Sequence, residues 1–265
     1  MNANPPRNSA FTLVEMLVVV AILGVLLALL LPAISRARAS ARATVCRDQL
    51  RQMVVELAMY AHDQKGRYPH YLGPAGSSFG DAVGAGGRAQ GLVYWSSKLI
   101  PYGGTRWTNR SLHCPGYREA VLEPHEKGSV DRLGGYAYNT KGVRAEKMNG
   151  GLWGLGPILF WRAVPGVDAP PVTESQIVAP AELLAVGDSQ CKVGERGGSD
   201  VWGCIKLYGS PLEEAPYLNR HGVRDNQAYV DGHVGSMDPG DLYNPIRSAA
   251  LWNRDHEPHA ELWAP

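Results

Sequence analysis

Charge is scarce in this 265-residue chain, and neither sign dominates. Only 19% of the residues are charged, against the usual quarter. Lys and Arg (26) nearly cancel Asp and Glu (25), so no global basic field exists to hold nucleic acid, and a dedicated nucleic-acid binder is excluded. Phenylalanine is rare, three residues against twelve Tyr and seven Trp. No C-x-x-C spacing marks a zinc or redox motif. No repeat of 20 to 50 residues is present. No nucleophile stands with a positioned base in view, which argues against an enzyme. Gly (31) and Pro (19) fall short of a disordered composition and favour a body of strands and turns. The length is enough for one or two domains with a real core.

What the chain does have is one long apolar run. Met16 to Ile34 reads MLVVVAILGVLLALLLPAI, nineteen residues without a charge. As a helix at about 1.5 Å per residue it covers most of a ~30 Å hydrocarbon layer. A buried core helix would show a polar face over five turns, and this run has none. A secretory signal would be shorter and would end at a small-x-small cleavage site. The following segment stays rich in helix formers, with no Gly or Pro from Ser35 to Gln64. Val45, Leu50, Val54, Leu57 and Met59 recur at near-helical spacing. The pattern predicts one helix over 11–60, with its membrane-crossing half at about 16–34 and a kink at Pro32. A lone acid, Glu15, sits at the mouth of the run, where a carboxylate needs a partner.

The residues Ala10-Phe11-Thr12-Leu13-Val14-Glu15 resemble the class III signal of type IV pilins and type II secretion pseudopilins. The resemblance implies a leader, 1–10, cut between Ala10 and Phe11 by a prepilin peptidase that also methylates the new Phe11 amine. Ala10 stands where that family nearly always has Gly. Glu15 matches the retained acid and Pro32 a common helix proline. A Glu15 carboxylate that a lone subunit leaves poorly paired would then meet the Phe11 amine of a neighbouring copy during assembly. Arg36, Arg38, Arg42, Arg47 and Arg51 follow the span and Arg7 alone precedes it, which by itself would retain the body in the cytoplasm. The resemblance implies the opposite: N-terminus cytoplasmic, a single pass of the inner membrane, and a periplasmic or extracellular head.

The body, 61–265, is similar to pilin-like proteins with a C-terminal His-x9-Asp-Gly prepilin-processing-associated region. The marks run in order: Tyr60, Asp63, Gly66, Tyr68 and Pro69; Cys114-Pro115; Tyr136, Tyr138 and Asn139; Ile177 to Pro180 leading to Asp188; then His221 and Asp231-Gly232, within about 219–237. Apart from any family, Gln227–Val230 and His233–Met237 flank Asp231-Gly232, a hairpin signal because both turn positions favour positive φ. Leu183–Val186 reads as a buried strand. The expected fold is α+β, a long helix packed on a mostly antiparallel sheet.

Asp188, His221, Asp231 and His233 form a candidate metal site or a structural hydrogen-bond network. Asp231 and His233, two apart, would share a strand face. Calcium is the ion that the carboxylates would favour. His256 and His259 read as solvated. Trp95, Trp107, Trp153, Trp161 and Trp202 lie among Gly-rich loops and read as a shield over a small core, with a ligand surface as the alternative. An exported body favours disulfides. Cys46, Cys114, Cys191 and Cys204 permit three pairings. A local Cys191–Cys204 staple would leave Cys46 to meet Cys114, with four reduced thiols as the alternative. The function expected is that of a structural subunit polymerised into a pilus or secretion pseudopilus. Its partners would be the peptidase/methyltransferase, copies of itself, other pilin-like subunits, the inner-membrane assembly platform and membrane lipid. A minor tip subunit that binds a ligand or secreted substrate, and a membrane-anchored metal-binding or hydrolytic protein, are the alternatives.

Overall fold

The computed structural model describes residues 12–70, 72–74, 92–103, 114–116, 136–144, 153–156, 170–188, 204–208, 221 and 224–262. It divides into two compact units, 1–41 and 42–265. Helix α1 runs Leu13–Asp63 with Pro32 inside it, three residues past its expected end. In the first unit its apolar side chains are exposed throughout, Leu13, Val20, Leu27 and Leu31 among them. This stretch is long and apolar enough to cross a membrane, with a mean hydropathy of 3.1 over its best window.

In the second unit the same helix has a sided character. Cys46, Leu50, Met53, Val54, Leu57 and Ala61 are buried, a stripe at the three- and four-residue steps that keep side chains on one face. Val45 and Met59, expected in that stripe, are about half exposed. They lie on neighbouring faces, and Cys46 and Met53 take the core positions. Arg42, Arg47 and Arg51 are exposed, as the expected outward face requires. The helix ends in a Schellman turn. Gly66 N donates to Ala61 O (2.7 Å) and Lys65 N to His62 O (3.3 Å), with Lys65 at φ 58° and Gly66 at φ 77°.

A five-stranded sheet receives the stripe. Its strands are β3 (Tyr136–Arg144), β4 (Leu184–Asp188), β5 (Cys204–Tyr208), β6 (Asp225–Tyr229) and β7 (Val234–Met237), in the order β5-β3-β4-β6-β7. The β3–β4, β4–β6 and β6–β7 pairs are antiparallel and β3–β5 is parallel. A small ribbon pairs β1 (Leu72–Pro74) with β2 (Leu92–Tyr94), and α2 (Trp95–Gly103) follows it. The fold is α+β.

Strand alternation gives the sheet two cores. Tyr136, Tyr138, Val186 and Ala228 join the α1 stripe, Trp95 and Leu99. Ala137, Leu184 and Tyr229 join Leu242, Ala249 and Trp252 on the other face. That second face is covered by α3 (Pro239–Leu242) and α4 (Pro245–Trp252), which the sequence reading did not anticipate. Their starts were written locally. Asp238 accepts from Gly240 N before Pro239, and Asn244 accepts from Ile246 N before Pro245, each an N-cap followed by proline at the first helical position.

The β6–β7 hairpin forms where expected, with a different turn. Only Gly232 takes positive φ (96°). Gly232 N donates to Tyr229 O and Tyr229 N to His233 O, both 3.0 Å. The loop is therefore three residues closed by a glycine bulge, instead of a two-residue turn with both positions at positive φ. Trp95 and Trp252 are fully buried, as the shielding reading expects. Trp107, Trp161 and Trp202 lie outside the described residues.

Candidate functional site

Among the described residues, chemistry gathers at the start of α1 and on the sheet face under Cys46. Ala10 and Phe11 lie outside the described residues. Thr12 N and Thr12 Oγ1 both donate to Glu15 Oε2 at 2.8 Å, and Glu15 N donates to Thr12 Oγ1 at 3.3 Å. Thr-x-x-Glu here is a reciprocal capping box that satisfies orphan N–H groups of the first turn. Within the chain, Thr12 supplies this carboxylate with two uncharged donors, a partnering that the expectation did not include. The signal was in the sequence, since the same four residues spell the cap.

The family-like marks in the body resolve into a frame. Tyr136 Oη donates to Gln49 Oε1 of α1 at 2.6 Å, and Tyr138 Oη to Pro69 O at 3.2 Å. Tyr138 also stacks on Trp95, centroids 4.9 Å apart. Asn139 Nδ2 donates to Leu184 O (2.8 Å) and Trp252 O (2.9 Å), and its Oδ1 accepts from Gly142 N (3.1 Å). One buried amide thus ties β3 to β4 and to the end of α4.

The four residues offered as a metal or network set separate into two places. Asp231 and His233 form an exposed pair. Their Oδ1–Nδ1 distance is 2.6 Å, and the side chains are 36% and 48% exposed. His233 stacks on Tyr229 with centroids 4.2 Å apart. Burial works against ionisation of Asp231, but the His233 backbone and ring outweigh it and hold the carboxyl below its usual range. This pair trims the hairpin.

Asp188 and His221 go inside. Their side chains are 1% and 2% exposed, with Nε2 3.5 Å from Oδ2. Two residues that the sequence reading placed in disulfides join them. Cys46 Sγ donates to Asp188 Oδ1 at 3.3 Å, and Cys114 Sγ lies 3.2 Å from His221 Nε2. One ligand atom from each of the four falls within 4.8 Å of all the others. Cys46 and Cys114 are free thiols in this structure: neighbours, as the expected tie between helix and sheet requires, but unbonded. Cys191 and the side chain of Cys204 lie outside the described residues.

The construction is local in each case. The α1 stripe carries Cys46. The pairing of Tyr136 with Asp188 across β3 and β4 sets Asp188 beneath it. Asn226 N, on β6, donates to Asp188 Oδ2 at 2.8 Å and anchors that carboxylate. Gly187 leaves room for Gln227, whose Oε1 would lie 1.7 Å from any Cβ there.

The electrostatics divide the thiols. Cys114 is pulled down, first by the adjacent Cys46 thiol, against burial, and with help from His221. Cys46 is pushed up by burial first, and then by the charge it would share with Cys114 and Asp188. Burial lowers His221, yet Cys114, Asp188 and Asp225 together leave it raised.

His259, expected to be solvated, is held. Its Nε2 is 2.8 Å from Asp255 and its Nδ1 3.0 Å from Glu261, and the ring stacks on Trp153 at 3.8 Å. His256 Nε2 sits 3.0 Å from Glu182.

Against known proteins, the model of the prokaryotic N-terminal methylation motif matches residues 5–31. No curated protein and no solved structure matches the chain.

Proposed function

We propose that this chain, which carries a prepilin-type N-terminal methylation motif on a long apolar helix with a β-sheet head, is a structural subunit cleaved between Ala10 and Phe11, methylated at Phe11, and polymerised into a type IV pilus or a type II secretion pseudopilus. The observation that carries the reading is the exposed apolar face of α1 joined to that motif. From Leu13 to Ile34 every large aliphatic side chain is exposed, and at about 25 cal/mol per Å² such a surface cannot stay in water. A bilayer covers it before assembly, and the helices of other subunits cover it afterwards. The leader (1–10), the stem and the head beyond it then divide the labour: processing, packing and display. The partners that follow are a prepilin peptidase and methyltransferase, further pilin-like subunits and an inner-membrane assembly platform, with the head on the outer side of the membrane. Neither step asks the head for chemistry, so the role is structural.

Glu15 tests the assembly step. In the free subunit it caps its own helix through Thr12. In the filament it exchanges part of that bonding for the methylated amine of a neighbour. Glu15→Val should leave leader removal intact, read as the mass of the membrane-fraction protein, and should abolish recovery in sheared fibres. Glu15→Val subunits that assemble at the normal level would refute the exchange.

A further inference from the structure

We propose that Cys46, Cys114, Asp188 and His221 form a structural metal site in the head, selective for zinc. The donor set is two thiols, one imidazole and one carboxylate, all convergent, with Cys46, Cys114 and Asp188 buried and the His221 side chain 2% exposed. Zinc takes such sets tetrahedrally, with Zn–S near 2.3 Å and Zn–N or Zn–O near 2.0–2.2 Å, so the edges of the tetrahedron are about 3.3–3.8 Å. Three separations are close to that size: 3.3 Å from Cys46 Sγ to Asp188 Oδ1, 3.2 Å from Cys114 Sγ to His221 Nε2, and 3.5 Å from His221 Nε2 to Asp188 Oδ2; the two carboxylate contacts use different oxygens, and the full set, within 4.8 Å, would contract onto the ion. Calcium wants six to eight oxygens, and this cluster supplies one carboxylate among sulfur and nitrogen donors, which suits zinc.

A disulfide between Cys46 and Cys114 is the competing use of the same thiols. It would need neither Asp188 nor His221, whereas both are turned into the cluster and nearly inaccessible. The carboxylate is also braced from outside the cluster, since Asn226 N donates to Asp188 Oδ2, the kind of bond that orients a metal ligand. Four protein ligands would close the coordination sphere, which marks a structural site. The ion would join α1, the residues around Cys114, the end of β4 and the residue His221, four segments far apart in sequence.

The test uses full-length protein in detergent, purified under reducing conditions, stripped with a chelator and titrated with Zn²⁺ or Co²⁺. The expected result is one ion per chain, with Co²⁺ giving the visible bands of a tetrahedral site and a thiolate charge-transfer band. Cys114→Ser and Asp188→Asn should each weaken Zn²⁺ binding at least tenfold, with unchanged near-ultraviolet circular dichroism. Asp231→Asn and His233→Ala should bind as the parent does. Chelation should lower the Tm of the parent. If Cys114→Ser fails to fold, the Co²⁺ spectrum of the parent and the Asp188→Asn titration still decide. The proposal falls if the reduced protein binds no ion. It falls equally if Cys114→Ser binds at parental affinity, or if protein isolated without reductant carries a Cys46–Cys114 disulfide and no metal.

Discussion

The two halves of α1 obey the same helical geometry and solve opposite problems. From Leu13 to Ile34 none of the described residues buries the aliphatic side chains. From Cys46 to Ala61 the apolar residues narrow to one stripe, and the sheet covers it. The first half is uniformly apolar, as a helix with lipid or other helices on all sides would be. The second is sided because its neighbour is one sheet. Partner dependence is thus written into the period of the hydrophobic pattern, and substitutions should sort by which half they strike.

The widest separation is expected between two leucines. Leu50 is fully buried and Leu23 is 52% exposed. Leu50→Ala should cost the head about 2–5 kcal/mol through lost burial and the cavity left behind. Leu23→Ala should leave head stability within about 0.5 kcal/mol and act on assembly alone. Denaturation of the detergent-solubilised chain, followed by near-ultraviolet circular dichroism, measures both. Equal losses would mean that the halves are not independent.

Asn139 probes how far the head is self-sufficient. Asn139→Ala leaves the carbonyls of Leu184 and Trp252 without its amide donor and Gly142 N without its acceptor. The expected cost is about 1–3 kcal/mol, read in the same unfolding experiment. A change near zero would remove this amide from the account of how α4 is held to the sheet.

The smallest effect concerns Glu56, the acid inside the otherwise apolar stripe. Burial raises its pKa, against the hydrogen bond from Gln52 Nε2 at 3.0 Å. A carboxyl whose pKa is higher folded than unfolded contributes fully below its unfolded pKa, and that contribution is lost as the pH rises through the folded value. Stability of the parent relative to Glu56→Gln should therefore fall as the pH rises from the unfolded value of about 4.3 through the raised folded value, and be flat above it. A difference that grows more favourable to the parent with rising pH would reverse the sign and mean that Glu56 is stabilised as an anion.

What the sequence disclosed follows from how local each signal is. The apolar run, the turn after Asp63 and the Asp231-Gly232 hairpin are written in adjacent residues, and each formed. The caps at Asp238-Pro239 and Asn244-Pro245 were equally local and went unread, and with them the layer covering the second sheet face. The parallel β3–β5 pair joins strands some sixty residues apart, which no short-range pattern announces. The buried cluster was half legible. Asp188 and His221 stood out by residue type, and residue type alone grouped them with Asp231 and His233. Packing of α1 on the sheet brings them instead to Cys46 and Cys114, and only the register of Tyr136 against Asp188 reveals it.

The central claim is that the exposed stem is covered by other subunits after processing. Its most direct test is to shear filaments from cells that express the full chain and to read the N-terminus of this protein in the fibre fraction. Fibre-associated chains should begin at a methylated Phe11. Chains that keep Met1 and occur only as membrane-bound monomers would contradict the claim.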